Sequence, residues 1–353
     1  MSNEKYWQNR AAWNMYEQMQ RAEETVDVIS RIYNKASAWL CIEAEGIFKK
    51  YMTKHKLSEN DARRLLDTLQ NRTSLDELLL ALKNGDSDKT KSQLLAELEG
   101  PAYQSRLERL SQIQNQLDLI MHDVYQQERN ISTNFYTELA GDSYYRSIFE
   151  IQKRTGLGFS FNYVGKKQID NVLNMNWSGS HYSNRIWKNT NQLAQTLKEE
   201  LLVSLITGRT ERETADIIAN RFSQGAMQAR RLVRTEACFV SGEMNAISYK
   251  ECELKKYRYL ATLDLRTSEV CRSLDGKVFL LSERIIGKNY PPMHPWCRST
   301  TISIVSAEEL RKLRRRGYNP KTGRTELIPA SMTYAEWYKK YIDKESADVK
   351  KRK

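Results

Sequence analysis

Apolar side chains in the first 140 residues recur at steps of three and four, which is the spacing of one face of an α-helix. This pattern predicts a long helix through most of 4–55. Proline is absent from residues 1–100 and from 102–290, so no proline ring removes a backbone hydrogen bond inside the predicted helices. We therefore expect residues 1–140 to be helical almost throughout.

Three further helices are predicted in this N-terminal region. Ser58 suits the N-cap of a short helix, because its hydroxyl can accept a hydrogen bond from a free backbone amide of the first turn. The leucines between Leu75 and Leu82 indicate a second helix, which the polar run 84–88 ends. After Pro101 the apolar residues approach heptad spacing as far as Phe135, which is typical of helices that pair along a seam.

The texture of the sequence changes near residue 141, where five glycines fall within about forty residues. We predict a loop-rich region there, with short pieces of strand or helix. Regular helices return at 185–207, with Gly208 as a C-terminal cap. Thr210 and Glu213 fit a capping box that opens a helix ending near Phe222, and another helix is predicted at 225–252.

From Lys255 onward the apolar pattern alternates with a period of two, which indicates β-strands. The predicted strands lie near residues 257–262, 277–281 and 300–305. The fold class is therefore α+β: a long N-terminal α-helical arm, then a mainly helical domain with a small antiparallel β-sheet. We divide the chain into the arm at 1–140, this domain at 141–305 and a C-terminal tail at 306–353.

Charge separates the two halves of the chain. Residues 1–140 hold 18 basic and 21 acidic side chains, whereas residues 141–353 hold 38 basic and 23 acidic ones. A basic half suggests a polyanionic partner such as DNA. The tail contains 14 basic and 7 acidic residues, and it is either a solvated, disordered end or a non-specific contact for phosphates. The candidates for that contact are Arg311, Lys312, Arg314, Arg315 and Arg316.

Several protein classes lose support from what the sequence lacks. No window of about 18 apolar residues predicts a transmembrane helix, and the polar first residues give no sign of a secretion signal. The five cysteines are odd in number and irregularly spaced, so we expect reduced thiols rather than a disulfide scaffold. The signatures of P-loop NTPases, simple dinucleotide enzymes, zincins and ordinary esterases are missing.

Residues 224–300 hold the motifs that could carry chemistry. Asp275-Gly276 before Val278 indicates a tight turn into a strand, because glycine adopts positive φ without strain. The prolines around His294 stiffen the loop that carries this side chain and Cys297. We expect Cys271, His294 and Cys297 to converge, because the turn and the loop both fold the chain back. A stiff loop positions a side chain in advance, as a metal ligand or a structural staple requires.

Four motifs of this region stand in a fixed order. They are R-x-x-R-T-E at Arg231–Glu236, D-x-R-T with a cysteine at Asp264–Cys271, L-D-G-x-x-F at Leu274–Phe279 and P-P-x-H-P-x-C-R at Pro291–Arg298. Together they resemble the phage Mu F-like minor capsid, or head morphogenesis, protein family, over about residues 165–305. The resemblance implies a structural role for Arg231, Arg234, Thr235, Glu236, Asp264, Arg266, Asp275, Gly276, Pro292, His294, Pro295, Cys297 and Arg298.

Two departures from the family pattern bear on metal binding. Ser268 replaces the first cysteine of C-x-x-C, and Ser299 replaces the last cysteine of the closing loop. Four nitrogen or sulfur ligands make a tight zinc site, and only Cys271, His294 and Cys297 remain, with Asp264 as a candidate oxygen ligand. We expect a structural cluster without a cofactor, with zinc as the first alternative and a Cys271–Cys297 disulfide as the second.

The resemblance further implies a virion component, namely a minor head protein of a tailed bacteriophage or prophage. Such a protein acts in head morphogenesis at the portal vertex, and DNA ejection or DNA protection are the further roles that the resemblance suggests. Its expected partners are the portal protein, scaffold or major capsid protein, and phage double-stranded DNA bound non-specifically. Its expected location is the capsid interior near the portal, and the host cytoplasm during assembly. The arm at 1–140 then serves contacts with protein partners.

Two other functional classes compete with this interpretation. One is a metal-dependent nuclease or hydrolase that uses Glu236, Asp264 and His294, although pairing of Arg234 and Glu236 as a structural lock is favoured. The other is a non-specific DNA-binding module, which the basic half alone supports. A helix-turn-helix at 193–222 is disfavoured, because acidic residues on its second helix would face phosphate.

Overall fold

The computed structural model describes residues 3–48, 57–84, 89–305, 314–319, 322–329, 332 and 334–343. Its helices are α1 (Asn3–Phe48), α2 (Glu59–Asp67), α3 (Leu75–Asn84), α4 (Lys89–Leu98), α5 (Pro101–Thr155), α6 (Lys166–Leu173), α7 (Tyr182–Thr207), α8 (Glu211–Glu251), α9 (Glu269–Leu274) and α10 (Tyr334–Tyr338). Its strands are β1 (Lys256–Leu260), β2 (Val278–Leu280), β3 (Thr300–Ile304), β4 (Arg314–Asn319) and β5 (Arg324–Pro329). The predicted α+β class, with long N-terminal helices and a small antiparallel sheet, is confirmed.

The chain folds into two compact units, each assembled from separate stretches. The first unit comprises residues 1–21, 135–175 and 234–353, and the second comprises residues 22–134 and 176–233. Three of the four boundaries fall within α1, α5 and α8, and the fourth lies in the loop between α6 and α7. The predicted division into an arm, a family domain and a tail concerns function, and it stays a prediction.

The second unit is a helical assembly in which α1 and α5 run antiparallel. The Tyr33 hydroxyl of α1 donates to Glu128 of α5 at 2.7 Å, and Arg109 of α5 pairs with Glu43 of α1. The predicted pairing of the near-heptad helix is therefore confirmed, with α1 as the partner. Ser58 caps α2 as predicted, because its Oγ accepts from the Asp61 amide at 3.2 Å.

A buried carboxylate ties several helices of the second unit together. Glu200 of α7 is 2 % exposed. It accepts hydrogen bonds from Arg63 of α2 at 2.9 Å, from Arg209 at 3.0 Å and from Arg221 of α8 at 2.7 Å. Charge-assisted hydrogen bonds of this kind satisfy a carboxylate that would otherwise be buried at high cost.

In the first unit, a three-stranded antiparallel sheet in the order β2-β1-β3 forms around the predicted strands. Tyr257 of β1 lies opposite Phe279 of β2 and opposite Ser303 of β3. Tyr257 and Tyr259 are fully buried, so the period-two pattern of the sequence marks the core face of the sheet. The three short strands predicted from the sequence are therefore confirmed.

The predicted change of texture at residue 141 is wrong in part. Helix α5 continues through Gly141 to Thr155, because Tyr144, Ile148 and Ile151 beyond the glycine are buried and their packing outweighs the low helix propensity of one glycine. Irregular backbone begins only after the helix, in residues 157–165 and again in 174–181.

The predicted break between Phe222 and residue 225 is also absent, because α8 is a single helix. Gly225 lies where the helix backbone passes close to its neighbours: a Cβ there would stand 2.7 Å from Leu193 Cδ2 and 2.9 Å from Tyr33 Cε1. The glycine therefore serves close packing rather than helix termination.

The caps around residue 210 are as predicted. Gly208 adopts a left-handed conformation with φ of 69° at the end of α7. The Glu213 carboxylate accepts from the Thr210 amide at 2.8 Å, and the Thr210 hydroxyl accepts from the Glu213 amide at 3.2 Å. This reciprocal pair is a capping box at the start of α8.

Of the two alternatives for the tail, disorder is wrong for its central part. Strands β4 and β5 form an antiparallel hairpin in which Arg314, Arg315 and Arg316 lie opposite Pro329, Ile328 and Leu327. Backbone hydrogen bonds between β4 and β5 therefore order this segment, which its run of charged residues did not predict. Arg311 and Lys312 lie outside the described residues. No helix in the described part of the chain is long and apolar enough to cross a membrane.

Candidate functional site

The candidate site lies in the first unit, where α9 presents Cys271 beside the sheet. Ser268 caps this helix, and its Oγ accepts from the Cys271 amide at 3.3 Å. The Tyr259 hydroxyl of β1 donates to Cys271 Sγ at 3.3 Å. The helix cap and the strand thus fix the position of a thiol that is 2 % exposed.

The proline-rich loop brings His294 and Cys297 to the same place. His294 Nε2 lies 3.3 Å from Cys271 Sγ and 2.8 Å from Ser268 Oγ, and the two sulfur atoms of Cys271 and Cys297 are 3.9 Å apart. One ligand atom from each of Cys271, His294 and Cys297 lies within 4.8 Å of the others. The structure therefore brings together the three side chains that the sequence analysis expected to converge.

The hydrogen bonds define the state of the imidazole. His294 Nδ1 lies 2.7 Å from the Pro295 carbonyl oxygen, which can only accept, so Nδ1 carries the proton. In the neutral ring, Nε2 is then the acceptor for the Ser268 hydroxyl and the Cys271 thiol. In this tautomer Nε2, which lies 3.3 Å from Cys271 Sγ, carries no proton, as metal ligation would require.

Both thiols of the cluster are protonated at neutral pH. The hydrogen bond with Cys297, followed by burial, raises the pKa of Cys271 to about 12. The hydrogen bond with Cys238 is the largest cause that raises the pKa of Cys297 to about 11. Neither sulfur atom therefore has the thiolate character of a reactive cysteine.

The distance between the two sulfur atoms fits a tetrahedral zinc ion, but the cluster lacks a good fourth ligand. Zinc–sulfur bonds of about 2.3 Å place two thiolates roughly 3.8 Å apart in a tetrahedral site, close to the 3.9 Å between Cys271 and Cys297. Nitrogen and sulfur supply three ligands, and the group next to them is the hydroxyl of Ser268, a weak zinc ligand. Asp264 does not belong to the group within 4.8 Å.

Asp264 instead holds a turn together. Arg298 donates to both of its carboxylate oxygens, at 2.8 Å to Oδ1, and the Arg266 amide and Thr267 hydroxyl each donate to Oδ1 at 3.0 Å. The Arg298 guanidinium is the first cause that holds the pKa of Asp264 well below its usual range. The Arg266 side chain is 85 % exposed and its guanidinium lies 3.8 Å from Asp264 Oδ2, so the backbone amide of this residue makes the closer contact.

The turn at Asp275 and Gly276 closes against β1. Asp275 Oδ1 accepts from the Ala261 amide at 2.8 Å, and the Gly276 amide donates to the Tyr259 carbonyl at 2.9 Å. Gly276 has φ of 75°, which a side chain would strain. The motif therefore fixes the return of the chain from α9 into β2.

Helix α8 anchors the proline-rich loop through Trp296. The Thr235 hydroxyl accepts from the Trp296 amide at 3.1 Å, and the Arg234 guanidinium lies over the indole, 5.7 Å from its centre. These contacts hold Trp296 at a φ of 67°, a conformation unfavourable for a bulky residue. The Pro291–Pro292 peptide bond of the same loop is cis.

Among the described residues, the candidate catalytic residues do not form a metal-ligand group with one another. Glu236 is 4 % exposed on α8, and the described residues contain no group in which Glu236, Asp264 and His294 all offer ligand atoms within 4.8 Å. Asp264 is engaged by Arg298, which makes it a poor proton acceptor. Arg231 lies at an exposed position of α8 in the second unit.

Tyr259 and Cys238 also contact the cluster, and the sequence did not predict either contact. Tyr259 was assigned only to the core face of a strand, although its hydroxyl contacts Cys271. Cys238 is fully buried, donates its thiol to the Ser299 carbonyl at 3.5 Å and hydrogen-bonds Cys297. Its position two residues after Glu236 in the R-x-x-R-T-E helix was the signal that could have placed it beside the loop.

Comparison with known proteins gives one family and one relative. Residues 195–302 match the family described as Phage Mu protein F like protein. This segment includes the second half of α7, the whole of α8, strands β1 and β2, most of β3 and the whole cysteine–histidine cluster. A stretch of 259 residues is 24% identical to the NAD(+)--arginine ADP-ribosyltransferase EFV of Enterococcus faecalis (strain ATCC 700802 / V583), covering 68% of this chain and 51% of the relative. The chain thus spans about half the length of that relative. No solved structure matches the chain.

Proposed function

We propose that this chain, which belongs to the Phage Mu protein F like family through residues 195–302, is a minor head protein of a tailed bacteriophage or prophage. The family consists of phage head morphogenesis proteins. The finer assignment places the chain at the portal vertex, inside the capsid, after assembly in the host cytoplasm. The family match is the observation that carries this proposal.

The contacts within the matched region support a structural task. Asp264 is paired with Arg298, Asp275 accepts from the Ala261 amide directly after β1, and Thr235 holds the Trp296 backbone. Each side chain is thus occupied in fixing a turn or loop, and Cys271 and Cys297 are buried and protonated. Such a region suits a rigid part in an assembly better than a centre for catalysis.

Exposed aromatic side chains on α1 support the assignment of a protein partner to the N-terminal arm. Tyr6, Trp13 and Tyr16 are 53%, 58% and 52% exposed, respectively. Large aromatics on a surface are typical of protein interfaces, where their burial contributes strongly to affinity. The slightly negative charge of residues 1–140 suits contacts with protein better than contacts with DNA.

A binding assay with the portal protein encoded beside this chain tests the assignment. The full chain is captured with the portal protein, and the double variant Trp13→Ala/Tyr16→Ala is compared with Tyr163→Ala. Tyr163 is 84% exposed but lies outside the arm, which makes it a matched control. We expect capture of the wild type and Tyr163→Ala, with at least a tenfold loss of affinity for the double variant. Equal capture of all three proteins would show that Trp13 and Tyr16 of α1 do not contribute to the interface.

Non-specific DNA contact is a further part of the proposal, supported by the 38 basic and 23 acidic side chains of residues 141–353. Neutralised phosphates release counterions, so affinity should fall steeply with salt. Deletion of 306–353 should weaken binding to unrelated duplexes and reduce the salt dependence. The same affinity and the same slope after the deletion would place the tail outside any DNA contact.

An enzymatic role is the less favoured alternative. The transferase activity is part of the name of one relative. That relative is 24% identical to this chain, and the match covers 51% of its length, so its activity does not support an enzymatic role here. For the nuclease alternative, we expect no cleavage of duplex DNA when magnesium, manganese or zinc is added. Cleavage that disappears in His294→Ala would contradict the structural interpretation.

A further inference from the structure

A small cavity lined by both apolar and polar side chains lies within the first unit, between the first turns of α1, the end of α5, the second half of α8 and strand β3. Its volume is about 60 Å³. A heavy atom the size of a water molecule occupies roughly 10–15 Å³ by this measure, so the cavity holds about four to six such atoms. That capacity corresponds to one compact ion and is too small for a nucleoside.

The lining contains a cation, Arg154, that forms no ion pair with a carboxylate among the described residues, although Glu4 interacts with it electrostatically. Arg154 donates from Nη1 to the Ser303 carbonyl at 2.8 Å and from Nη2 to Ser303 Oγ at 2.6 Å. By contrast, Arg146 in the same lining pairs with Glu17. Burial is the first cause that lowers the pKa of Arg154. A guanidinium has five N–H groups, so donors remain for a ligand.

Neutral groups with unused hydrogen-bonding capacity complete the cavity. The Asn245 amide and the Thr300 hydroxyl line it, and neither makes a side-chain hydrogen bond within the described part of the chain. Glu150 also lines it: one oxygen accepts from Arg10 at 2.6 Å, whereas the buried Oε2 has no hydrogen-bond partner among the described residues. The cavity therefore offers hydrogen-bond donors to a ligand, together with one acceptor, Glu150 Oε2, that requires a donor from the ligand.

We propose that this cavity binds a compact oxyanion that carries a proton, with inorganic hydrogen phosphate as the ligand that fits. The Arg154 guanidinium, the Asn245 amide and the Thr300 hydroxyl donate to its oxygens. Its P–O–H group donates to Glu150 Oε2. Sulfate has the same shape but no proton at neutral pH, so its oxygen would face the carboxylate without a hydrogen bond. The cavity therefore selects phosphate over sulfate.

Isothermal titration of the full chain tests this site, with phosphate and sulfate compared at matched ionic strength in an amine-free, phosphate-free buffer. We expect saturable binding of phosphate and at least about tenfold weaker binding of sulfate. Arg154→Gln should weaken phosphate binding about tenfold or more, since it removes a charged donor. Arg266→Gln, a change at an 85 % exposed arginine of the same unit, should bind phosphate as the wild type does.

Glu150→Gln gives a second measure that does not depend on the fold of the Arg154 variant. An amide can donate to sulfate, so the preference for phosphate over sulfate should shrink toward unity. A 5′-phosphorylated oligonucleotide should not compete with phosphate, because the cavity has no room for the nucleoside. Equal affinities of phosphate and sulfate for the wild type, wild-type phosphate affinity in Arg154→Gln, or displacement of bound phosphate by the oligonucleotide would each overturn the proposal.

Discussion

Replacing Gly225 by alanine tests whether this glycine is needed for close packing of α8 or only lowers its helix propensity. At Gly225 a Cβ would lie 2.7 Å from Leu193 Cδ2 and 2.9 Å and 3.3 Å from two ring atoms of Tyr33. The leucine methyl can move, but the tyrosine ring is 1 % exposed and its hydroxyl is held by Glu128 at 2.7 Å. Overpacking of this kind costs about 1–3 kcal/mol, against a gain of about 1 kcal/mol in helix propensity.

Gly141 provides the matched control, because it also lies inside a long helix but a Cβ at this position would meet nothing within 4 Å. Gly141→Ala should therefore stabilise the protein by up to about 1 kcal/mol. Gly225→Ala should be destabilising, and the two variants should differ by about 1–3 kcal/mol. Urea unfolding followed by far-ultraviolet circular dichroism measures both values. If Gly225→Ala is as stable as Gly141→Ala, the close packing described for α8 does not exist.

Three further outcomes follow from buried groups. Burial raises the pKa of Glu128 from 4.5 to about 7, so its contribution to stability is greatest below pH 4.5 and is lost as pH rises toward 7. Relative to the wild type, Glu128→Gln should thus gain about 3 kcal/mol between pH 4.5 and 8; a pH-independent difference in urea unfolding would refute this. Cys297→Ala should cost about 1–3 kcal/mol, because it truncates a side chain that is 1 % exposed; unchanged stability would show that the thiol does not support the loop. Purified protein should contain well under one zinc per chain, since Cys271, His294 and Cys297 are three ligands where tight sites have four; stoichiometric zinc by elemental analysis would contradict this.

The sequence predicted the helices well where local chemistry decides the structure. The apolar spacing of α1, the hydroxyl cap at Ser58 and the capping box at Thr210 each depend on residues within a few positions of one another. The two errors, the change placed near residue 141 and the break placed between Phe222 and residue 225, arose because tertiary packing outweighs local sequence signals. Packing against another helix cannot be read from one stretch of sequence.

The candidate site was likewise predictable only where neighbouring stretches of sequence form it. The convergence of Cys271 with His294 and Cys297 could be predicted, because a tight turn and a stiff loop fold the chain back on itself. The contributions of Cys238 and Tyr259 could not, since α8 and β1 reach the cluster from distant parts of the chain. Likewise, nothing local distinguishes Asp264, which pairs with Arg298, from a free metal ligand.

Quantitative mass spectrometry of purified heads tests the central claim most directly. Heads are isolated from the phage or induced prophage that encodes this chain, and its abundance is measured relative to the portal and major capsid proteins. The account predicts that the chain is present in every preparation, in few copies relative to the major capsid protein and at a constant ratio to the portal protein. Absence from heads, in cells where the chain is expressed, would contradict the assignment as a minor head protein.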